Sequence, residues 1–260
     1  MNKPDWIYEG KNISFSYGKN EILHGMDFTI PEGKITTLIG ANGCGKSTLF
    51  QLLTRNNRPD GGEILLEGTP LETLKLKELA KKVAIVHQYH TAPPDITVEK
   101  LVGYGRLPHQ SFGKMADREK EQEKINWALE VTHTEKYRKR PVSSLSGGQK
   151  QRVWIAMALA QDTRLLLLDE PTTYLDIRYQ LQILQLIQKL NREYGITIVM
   201  VLHDINQAFY YSDKILAMKA GHMIAQGAPE DIIKEELLEQ VYDISLPIYH
   251  LDGKKFVFAV

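Results

Sequence analysis

The chain has 260 residues, with 32 basic and 32 acidic side chains and a formal net charge of zero. This length suits one large α/β domain with a smaller inserted lobe, and the balanced charge gives no reason to expect a nucleic-acid partner. The longest apolar runs, such as residues 196–202, fall far short of the roughly 20 residues that span a bilayer, and the single cysteine excludes an internal disulfide framework, so we expect a cytoplasmic protein.

Two short strands are predicted first, at residues 6–17 and 22–30, with turn residues between them. Tyr17 closes the first strand, ahead of a glycine-rich stretch. An aromatic ring upstream of a phosphate-binding loop can stack on adenine, although spacing alone favours an ordinary β-sheet tyrosine. An apolar run at residues 35–39 then predicts a buried strand.

The stretch after that strand fits the phosphate-loop pattern G-x-x-x-x-G-K-[ST] and leads into a predicted helix at residues 47–54. Glycine lets backbone N–H groups point at phosphate oxygens, and the helix N-terminus adds partial positive charge. Lys46 can reach the β- and γ-phosphates, and the Ser47 hydroxyl can ligate Mg²⁺. A glycine-rich turn that binds nothing is the alternative. The predicted nucleotide-binding residues are Gly40, Asn42, Gly43, Cys44, Gly45, Lys46, Ser47 and Thr48.

Gln88 follows a predicted strand at residues 83–86. A glutamine at such a strand end can ligate Mg²⁺ or orient water, although a capping or surface glutamine is the alternative. Residues 97–161 are predicted to be almost entirely helical, which indicates an inserted subdomain. The last of these helices opens with a second anion-binding candidate, in which a hydroxyl and unpaired N–H groups could bind a phosphate; an ordinary helix cap is the alternative. Its residues are Ser146, Gly147, Gly148 and Gln149.

Two further predicted strands end in polar side chains. The leucine run at residues 165–168 predicts a central parallel strand, followed by Asp169 and Glu170. In phosphate-loop proteins an Asp at such a strand end holds Mg²⁺, and the adjacent glutamate is suited to deprotonate attacking water. The run at residues 196–202 ends at His203, which can donate a hydrogen bond to a γ-phosphate or can be an ordinary core histidine.

Between these strands, residues 176–194 predict a long amphipathic helix. We expect its single apolar stripe to pack into the core. The stripe consists of Ile177, Leu181, Leu184, Ile187 and Leu190.

In this order, the features resemble the ATP-binding subunits of ABC transporters, and the likeness covers nearly the whole chain. The phosphate loop together with Leu-Ser-Gly-Gly-Gln at residues 145–149 is the most specific part. Stretches at residues 105–109, 154–162 and 170–176 are similar to the ATPases of iron(III)–siderophore, haem and cobalamin importers, most of all the siderophore subgroup. Ala41 departs from the proline often found there, and we expect no functional consequence.

The resemblance implies a role for each motif. Tyr17 stacks on adenine, and residues 43–48 wrap the phosphates, with Lys46 on the β/γ-phosphates and Ser47 on Mg²⁺. Gln88 senses the γ-phosphate and Mg²⁺, Asp169 holds Mg²⁺, Glu170 acts as general base, and His203 contacts the γ-phosphate. The dimer is formed through Asp176, which lies at its seam, and through the helix start that closes on ATP held by a second copy, which consists of Ser146, Gly147, Gly148 and Gln149.

The resemblance also implies a P-loop NTPase core with a mainly parallel sheet, an N-terminal antiparallel β part and an inserted helical subdomain. It implies one domain over residues 1–260, with a nucleotide-binding core at 1–90 and 162–260 and the helical subdomain at 91–161. ATP and Mg²⁺ are the implied cofactors. The implied partners are a second copy, transmembrane permease subunits and, indirectly, an extracellular or periplasmic substrate-binding protein, with no nucleic acid. The expected location is the cytoplasmic side of the cell membrane.

The expected function is therefore ATP hydrolysis that powers import of an iron(III)–siderophore-type chelate. The alternatives are the ATPase of a haem, cobalamin or other ABC transporter, and a soluble ABC ATPase for DNA repair or translation. The soluble class usually has long coiled coils or tandem nucleotide domains, and the sequence predicts neither. A scaffold with inactive sites is disfavoured by the intact Lys46, Asp169, Glu170 and His203.

Overall fold

A strand that is buried along its whole length, β3 (Ile35–Ile39), leads directly into the glycine-rich stretch. The structure, a computed structural model, describes residues 6–109, 118–252 and 254–258. The chain forms two units, one made of Met1–Leu74 and Thr197–Val260 and the other of Lys75–Ile196. The predicted division into a nucleotide-binding core and a helical subdomain stays a prediction.

The first unit holds two sheets and a hairpin. Besides β3, its strands are β1 (Trp6–Tyr17), β2 (Asn20–Pro31), β4 (Gly61–Leu66), β5 (Thr69–Pro70), β8 (Thr197–Val201), β9 (Lys214–Lys219), β10 (His222–Gly227), β11 (Ile248–Leu251) and β12 (Lys254–Val257). One sheet is antiparallel, in the order β2-β1-β4-β5. In the other, β8 and β9 flank β3 in parallel and β10 pairs with β9 in antiparallel, while β11 and β12 form the hairpin. Both β3 and β8 are buried on both faces, as expected for central parallel strands, although β3 includes the buried Thr36 and Thr37 and β8 begins with the buried Thr197.

Four helices of the first unit are α1 (Lys46–Leu53), α7 (Ile205–Tyr211), α8 (Pro229–Ile232) and α9 (Glu235–Tyr242). The end of α1 is tied to the antiparallel sheet by the buried Tyr8, whose hydroxyl donates a hydrogen bond of 2.6 Å to the Leu53 carbonyl. Such a bond satisfies one of the carbonyls that a helix leaves unpaired at its C-terminus. The phosphate-loop helix is therefore anchored at its far end.

The second unit is mainly helical. Its helices are α2 (Leu76–Leu79), α3 (Val98–Gly103), α4 (Arg118–Val131), α5 (Gly147–Ala160) and α6 (Ile177–Tyr194), and its strands β6 (Val83–Val86) and β7 (Leu165–Leu168) pair in parallel. The predicted α/β class, with a largely parallel sheet and an N-terminal antiparallel sheet, is confirmed. None of the helices in the described part of the chain has the length and apolar content that crossing a membrane requires.

The long helix α6 has clear start and stop signals. The Asp176 side chain accepts a hydrogen bond from the Tyr179 backbone N–H at 3.0 Å, and Gly195 ends the helix with φ of 66°.

The apolar stripe of α6 is buried only over its C-terminal part. Leu184, Ile187 and Leu190 are buried, whereas Ile177 is 75% exposed and Leu181 is 42% exposed. The prediction that the whole stripe faces the core is therefore wrong at its first two positions. Periodicity shows which side of a helix is apolar, but it does not show how far along the helix the neighbouring elements reach.

Candidate functional site

The predicted site residues belong to both units. The first unit carries Tyr17, the phosphate loop at residues 40–48 and His203. The second unit carries Gln88, the helix start at residues 146–149, the carboxylates of Asp169 and Glu170, and Asp176.

The phosphate loop follows a path that only glycine permits at two positions. Gly40 has φ of 145°, and a Cβ there would lie 2.2 Å from the Met218 carbonyl oxygen. Gly45 has φ of 105°, and a Cβ there would lie 2.7 Å from a Leu23 methyl group. Both angles lie where L-residues are strained. Gly45 is also the N-cap of α1 and supplies no side-chain cap, so the loop can present backbone N–H groups to an anion.

Lys46 is held inside this loop. Its side chain is almost fully buried, with 5% of the residue exposed. The Nζ atom donates to the Gly40 carbonyl at 2.7 Å and to the Ala41 carbonyl at 3.0 Å. A buried ammonium needs such acceptors, because an unpaired charge away from water is costly. The loop thus positions a cation where a phosphate chain would bind.

Tyr17, at the end of β1, leaves about half of its surface open to solvent, 49% by area. The ring packs edge-on against Phe15, with 4.9 Å between centroids. Its hydroxyl donates to Gln51 Oε1 at 3.1 Å and accepts from Asn57 Nδ2 at 3.0 Å. The exposed ring can therefore serve as a stacking surface. Sequence reasoning missed Gln51 and Asn57, since neither lies in a recognisable motif.

His203 lies just beyond β8, two residues before α7 begins, and is exposed. The next residue, Asp204, caps α7 by accepting a hydrogen bond from the Gln207 backbone N–H at 2.9 Å. His203 is therefore not a buried core histidine, which was the alternative that the sequence left open.

In the second unit, Gln88 and Glu170 are in direct contact. Gln88 Nε2 donates to Glu170 Oε2 at 2.6 Å, and Thr173 Oγ1 donates to the same oxygen at 3.0 Å. Asp169 continues the pairing of β6 and β7, since its backbone N–H donates to the Val86 carbonyl at 2.9 Å. Glu170 has φ of 49°, a conformation that costs a non-glycine residue on the order of 1 kcal/mol. The structure thus brings two predicted residues together and adds Thr173, which lies in the 170–176 stretch but had no role predicted for it.

A cavity of about 280 Å³ lies beside Gln88, lined by residues from β6, the segment after it and α5. In its wall the His90 ring stacks on Trp154 with 4.6 Å between centroids. Burial, and secondarily the charge of His87, lower the pKa of His90 to about 4. At the rim, the hydroxyl groups of Tyr89 and Tyr174 lie 3.2 Å apart, and both rings are largely exposed.

The helix start of α5 is a capping box. Ser146 Oγ accepts from the Gln149 backbone N–H at 3.4 Å, and Gln149 Oε1 accepts from the Ser146 backbone N–H at 3.1 Å. Gly148 is packed so closely that a Cβ would lie 2.4 Å from the Tyr179 ring, whereas at Gly147 the nearest atom would be 3.7 Å away. The cap that the sequence left as an alternative is thus present, and it does not exclude anion binding by the same turn.

A family model described as "ABC transporter" matches residues 23–173 of the chain. Among curated relatives, the iron(3+)-hydroxamate import ATP-binding protein of Bacillus subtilis (strain 168) is 48% identical over 92% of this chain and 88% of its own length. The petrobactin import ATP-binding protein FpuC of Bacillus anthracis is 43% identical over 94% and 89%. The ferric enterobactin transport ATP-binding protein of Escherichia coli (strain K12) is 43% identical over 90% and 86%.

Solved structures give the same likeness at the level of the fold. The cbiO1 protein from Clostridium perfringens, part of the ABC transporter complex cbiONQ, is 31% identical, with a TM-score of 0.79 over 91% of this chain and 94% of that one. A dimeric ATP-binding cassette in a post-hydrolysis state, bound to ADP and Pi, is 30% identical, with a TM-score of 0.72 over 85% of this chain and 98% of that one.

Proposed function

The chain belongs to the ABC transporter family as an ATP-binding subunit, and from this premise we propose that it hydrolyses ATP to power import of an iron(III)–siderophore-type chelate through a membrane permease. The observation that carries the nucleotide site is the glycine-built loop around the buried Lys46. The cargo class is supported by the relatives, whose names specify import of iron(3+)-hydroxamate and of petrobactin and transport of ferric enterobactin.

In this proposal the loop at residues 40–48 cradles the phosphates, and Lys46 transfers its hydrogen bonds from loop carbonyls to phosphate oxygens. The Tyr17 ring stacks on adenine through its exposed surface. Ser47 and Asp169 would hold Mg²⁺ through oxygen atoms, with Gln88 as a further ligand. When bound, the ion would supply positive charge that offsets the negative charge of the phosphates.

Glu170 is the proposed general base. Its carboxylate accepts the proton of the water that attacks the γ-phosphorus, the bond to the ADP oxygen breaks, and ADP and phosphate result. Gln88, bonded to Glu170, holds the base until nucleotide phosphates compete for its amide. His203 donates to the γ-phosphate and stabilises the charge that gathers there.

We further propose that two copies share two ATP molecules, each copy placing residues 146–149 on the nucleotide of the other. This is supported by a second anion-binding helix start in a chain that already has a complete phosphate loop. Two copies would dock on permease subunits at the cytoplasmic face of the membrane, near Gln88 and the adjoining cavity. A substrate-binding protein would deliver the chelate from the opposite side.

Deleting the gene tests the cargo. Uptake of labelled ferric siderophores should fall and be restored by the native chain but not by Glu170→Gln, while uptake of unrelated nutrients stays normal. Undiminished uptake of each labelled iron chelate, together with loss of haem or cobalamin uptake, would reassign the cargo to one of those alternatives.

A further inference from the structure

Three polar side chains form a closed ring of hydrogen bonds behind Tyr17. The Tyr17 hydroxyl donates to Gln51 Oε1 at 3.1 Å. Asn57 Nδ2 donates to the Tyr17 hydroxyl at 3.0 Å and to Gln51 Oε1 at 2.8 Å. Each member thus contacts the other two.

In this ring of hydrogen bonds, each donor meets an acceptor at every contact. The phenol donates once and accepts once, the Gln51 carbonyl oxygen accepts twice, and the two hydrogens of Asn57 Nδ2 are both donated. In the structure the acceptor is Gln51 Oε1 and the donor is Asn57 Nδ2. Turning over both side-chain amides together would reverse these roles and also satisfy all three contacts, so the two residues must keep opposite roles.

The backbone ties the ring to the phosphate loop. Gln51 lies on α1, the helix that begins at Lys46, and its carbonyl accepts from the Asn57 backbone N–H at 3.2 Å. From the other side, the Phe15 ring packs edge-on against Tyr17. The Tyr17 ring is thus held between its own strand and the helix that carries Lys46.

We propose that Gln51 and Asn57 are positioning residues for ATP, which fix the Tyr17 ring in the orientation that receives the adenine base. This rests on the proposed role of Tyr17 as the stacking platform. A half-exposed aromatic ring loses torsional freedom when a base stacks on it, and holding it beforehand lowers that cost. Because Gln51 lies on α1, its hydrogen bond with the Tyr17 hydroxyl also fixes the position of the Tyr17 ring relative to the loop that binds the phosphates.

The test compares ATP with tripolyphosphate, which has the phosphate chain and no base. Gln51→Ala, Asn57→Ala and Tyr17→Phe should each raise the KM and Kd for ATP about three- to tenfold, which is the range of one or two lost hydrogen bonds. They should leave kcat and the Kd for tripolyphosphate within about twofold. Thermal unfolding of each variant checks that the fold is intact.

Conservative variants separate positioning from a structural role. Gln51→Glu keeps the acceptor and should bind ATP like the native chain. Asn57→Asp keeps the size but replaces the donor with an oxygen that faces Gln51 Oε1, and it should be as impaired as Asn57→Ala. A purely structural effect of side-chain size would not produce this asymmetry.

Native ATP affinity in Gln51→Ala and Asn57→Ala, with weak binding in Tyr17→Ala, would overturn the positioning role and leave Tyr17 as the platform. Native affinity in Tyr17→Ala would overturn the platform and with it the positioning role. An equal loss of affinity for ATP and tripolyphosphate would show that the two residues act on the phosphate loop instead.

Discussion

The side-chain amide of Gln88 donates a 2.6 Å hydrogen bond to the carboxylate of Glu170, so the proposed γ-phosphate sensor and the proposed general base are bonded to each other. The same carboxylate oxygen also accepts a hydrogen bond from Thr173 Oγ1 at 3.0 Å. Any movement of Gln88 therefore changes the surroundings of the proposed base directly, which links hydrolysis to a side chain near the proposed permease docking surface.

Replacing Glu170 with glutamine should stop hydrolysis and leave binding intact. The amide keeps an oxygen for Thr173 but cannot accept a proton, so kcat should fall about 100- to 10,000-fold while the Kd for ATP stays near native. An ATP-bound dimer should accumulate in ATP and Mg²⁺, measured by size-exclusion chromatography. Thr173→Val is the matched control, because it removes one bond to Glu170 and keeps the base; its rate should fall far less. Near-native turnover in Glu170→Gln would place the base elsewhere.

Tyr17→Ala should weaken ATP binding without affecting phosphate chemistry. Stacking on a base contributes about 1–3 kcal/mol in comparable contacts, which predicts a Kd raised about 5- to 150-fold. Saturating ATP should recover most of kcat, measured in a steady-state ATPase assay. Tyr17→Trp keeps an aromatic surface but lacks the hydroxyl, so its affinity for ATP should lie between those of Tyr17→Ala and the native chain. An unchanged Kd in Tyr17→Ala would return Tyr17 to an ordinary sheet position.

The two glycines after Ser146 should respond differently to substitution. At Gly148 a methyl group meets the Tyr179 ring, so Gly148→Ala should lower the free energy of unfolding by about 1–3 kcal/mol. At Gly147 there is room, and an aspartate in the first turn of α5 interacts favourably with the helix dipole, so Gly147→Asp should unfold like the native chain. Chemical denaturation measures both effects.

Gly147→Asp therefore provides the cleaner test of the shared site, because any defect comes from charge rather than from misfolding. We expect it to bind ATP as a monomer with near-native affinity but to fail to dimerise in the Glu170→Gln background and to fail to hydrolyse ATP. Loss of ATP affinity in the monomer would mean that the helix start serves the nucleotide of its own chain. Normal dimerisation and hydrolysis would mean that it is only a helix cap.

His90 should make the fold acid-sensitive. Its pKa in the folded chain is about 4, below the ordinary value of 6.5, so the unfolded chain binds more protons between these values. The stability that the neutral His90 contributes is fully present above about pH 6.5 and is lost progressively as the pH falls towards 4. A shift of this size corresponds to about 3 kcal/mol, but the ring is only partly buried and solvent screening reduces the expected loss to about 1 kcal/mol.

Denaturant unfolding at pH 7 and pH 4.5 measures this loss. His90→Phe retains the stacking on Trp154 and removes the titration, so it should be less sensitive to acid by about 1 kcal/mol. The same pH dependence in both chains would assign the acid sensitivity to other groups.

The parts of the fold that were predictable depend on short-range sequence. β3, β7 and β8 are short, mostly apolar segments of four or five residues and are buried throughout, as expected for central parallel strands. The stripe of α6 was predicted only in part, because burial depends on what covers a helix. Ile177 and Leu181 have the right spacing for a core position and are nevertheless exposed.

The candidate site also has one part that could be predicted from the sequence and one part that could not. The phosphate loop is predictable because its geometry is local, with glycine angles, a following helix and Lys46 within nine residues of sequence. The contacts of Tyr17 with Asn57, and of Gly148 with Tyr179, join residues 40 and 31 positions apart. No pattern in the chain encodes such pairs, since they arise only when separate elements pack.

Lys46 also sets a limit on how tightly the loop can hold a nucleotide. Its ammonium already satisfies two carbonyl oxygens, those of Gly40 and Ala41. When a phosphate oxygen replaces these carbonyl oxygens as the acceptor, only the difference in free energy between the two sets of hydrogen bonds contributes to the affinity. If Lys46 binds phosphate as proposed, its ammonium can return to these carbonyl oxygens when the phosphate leaves, which would favour release of spent nucleotide once in every cycle of hydrolysis.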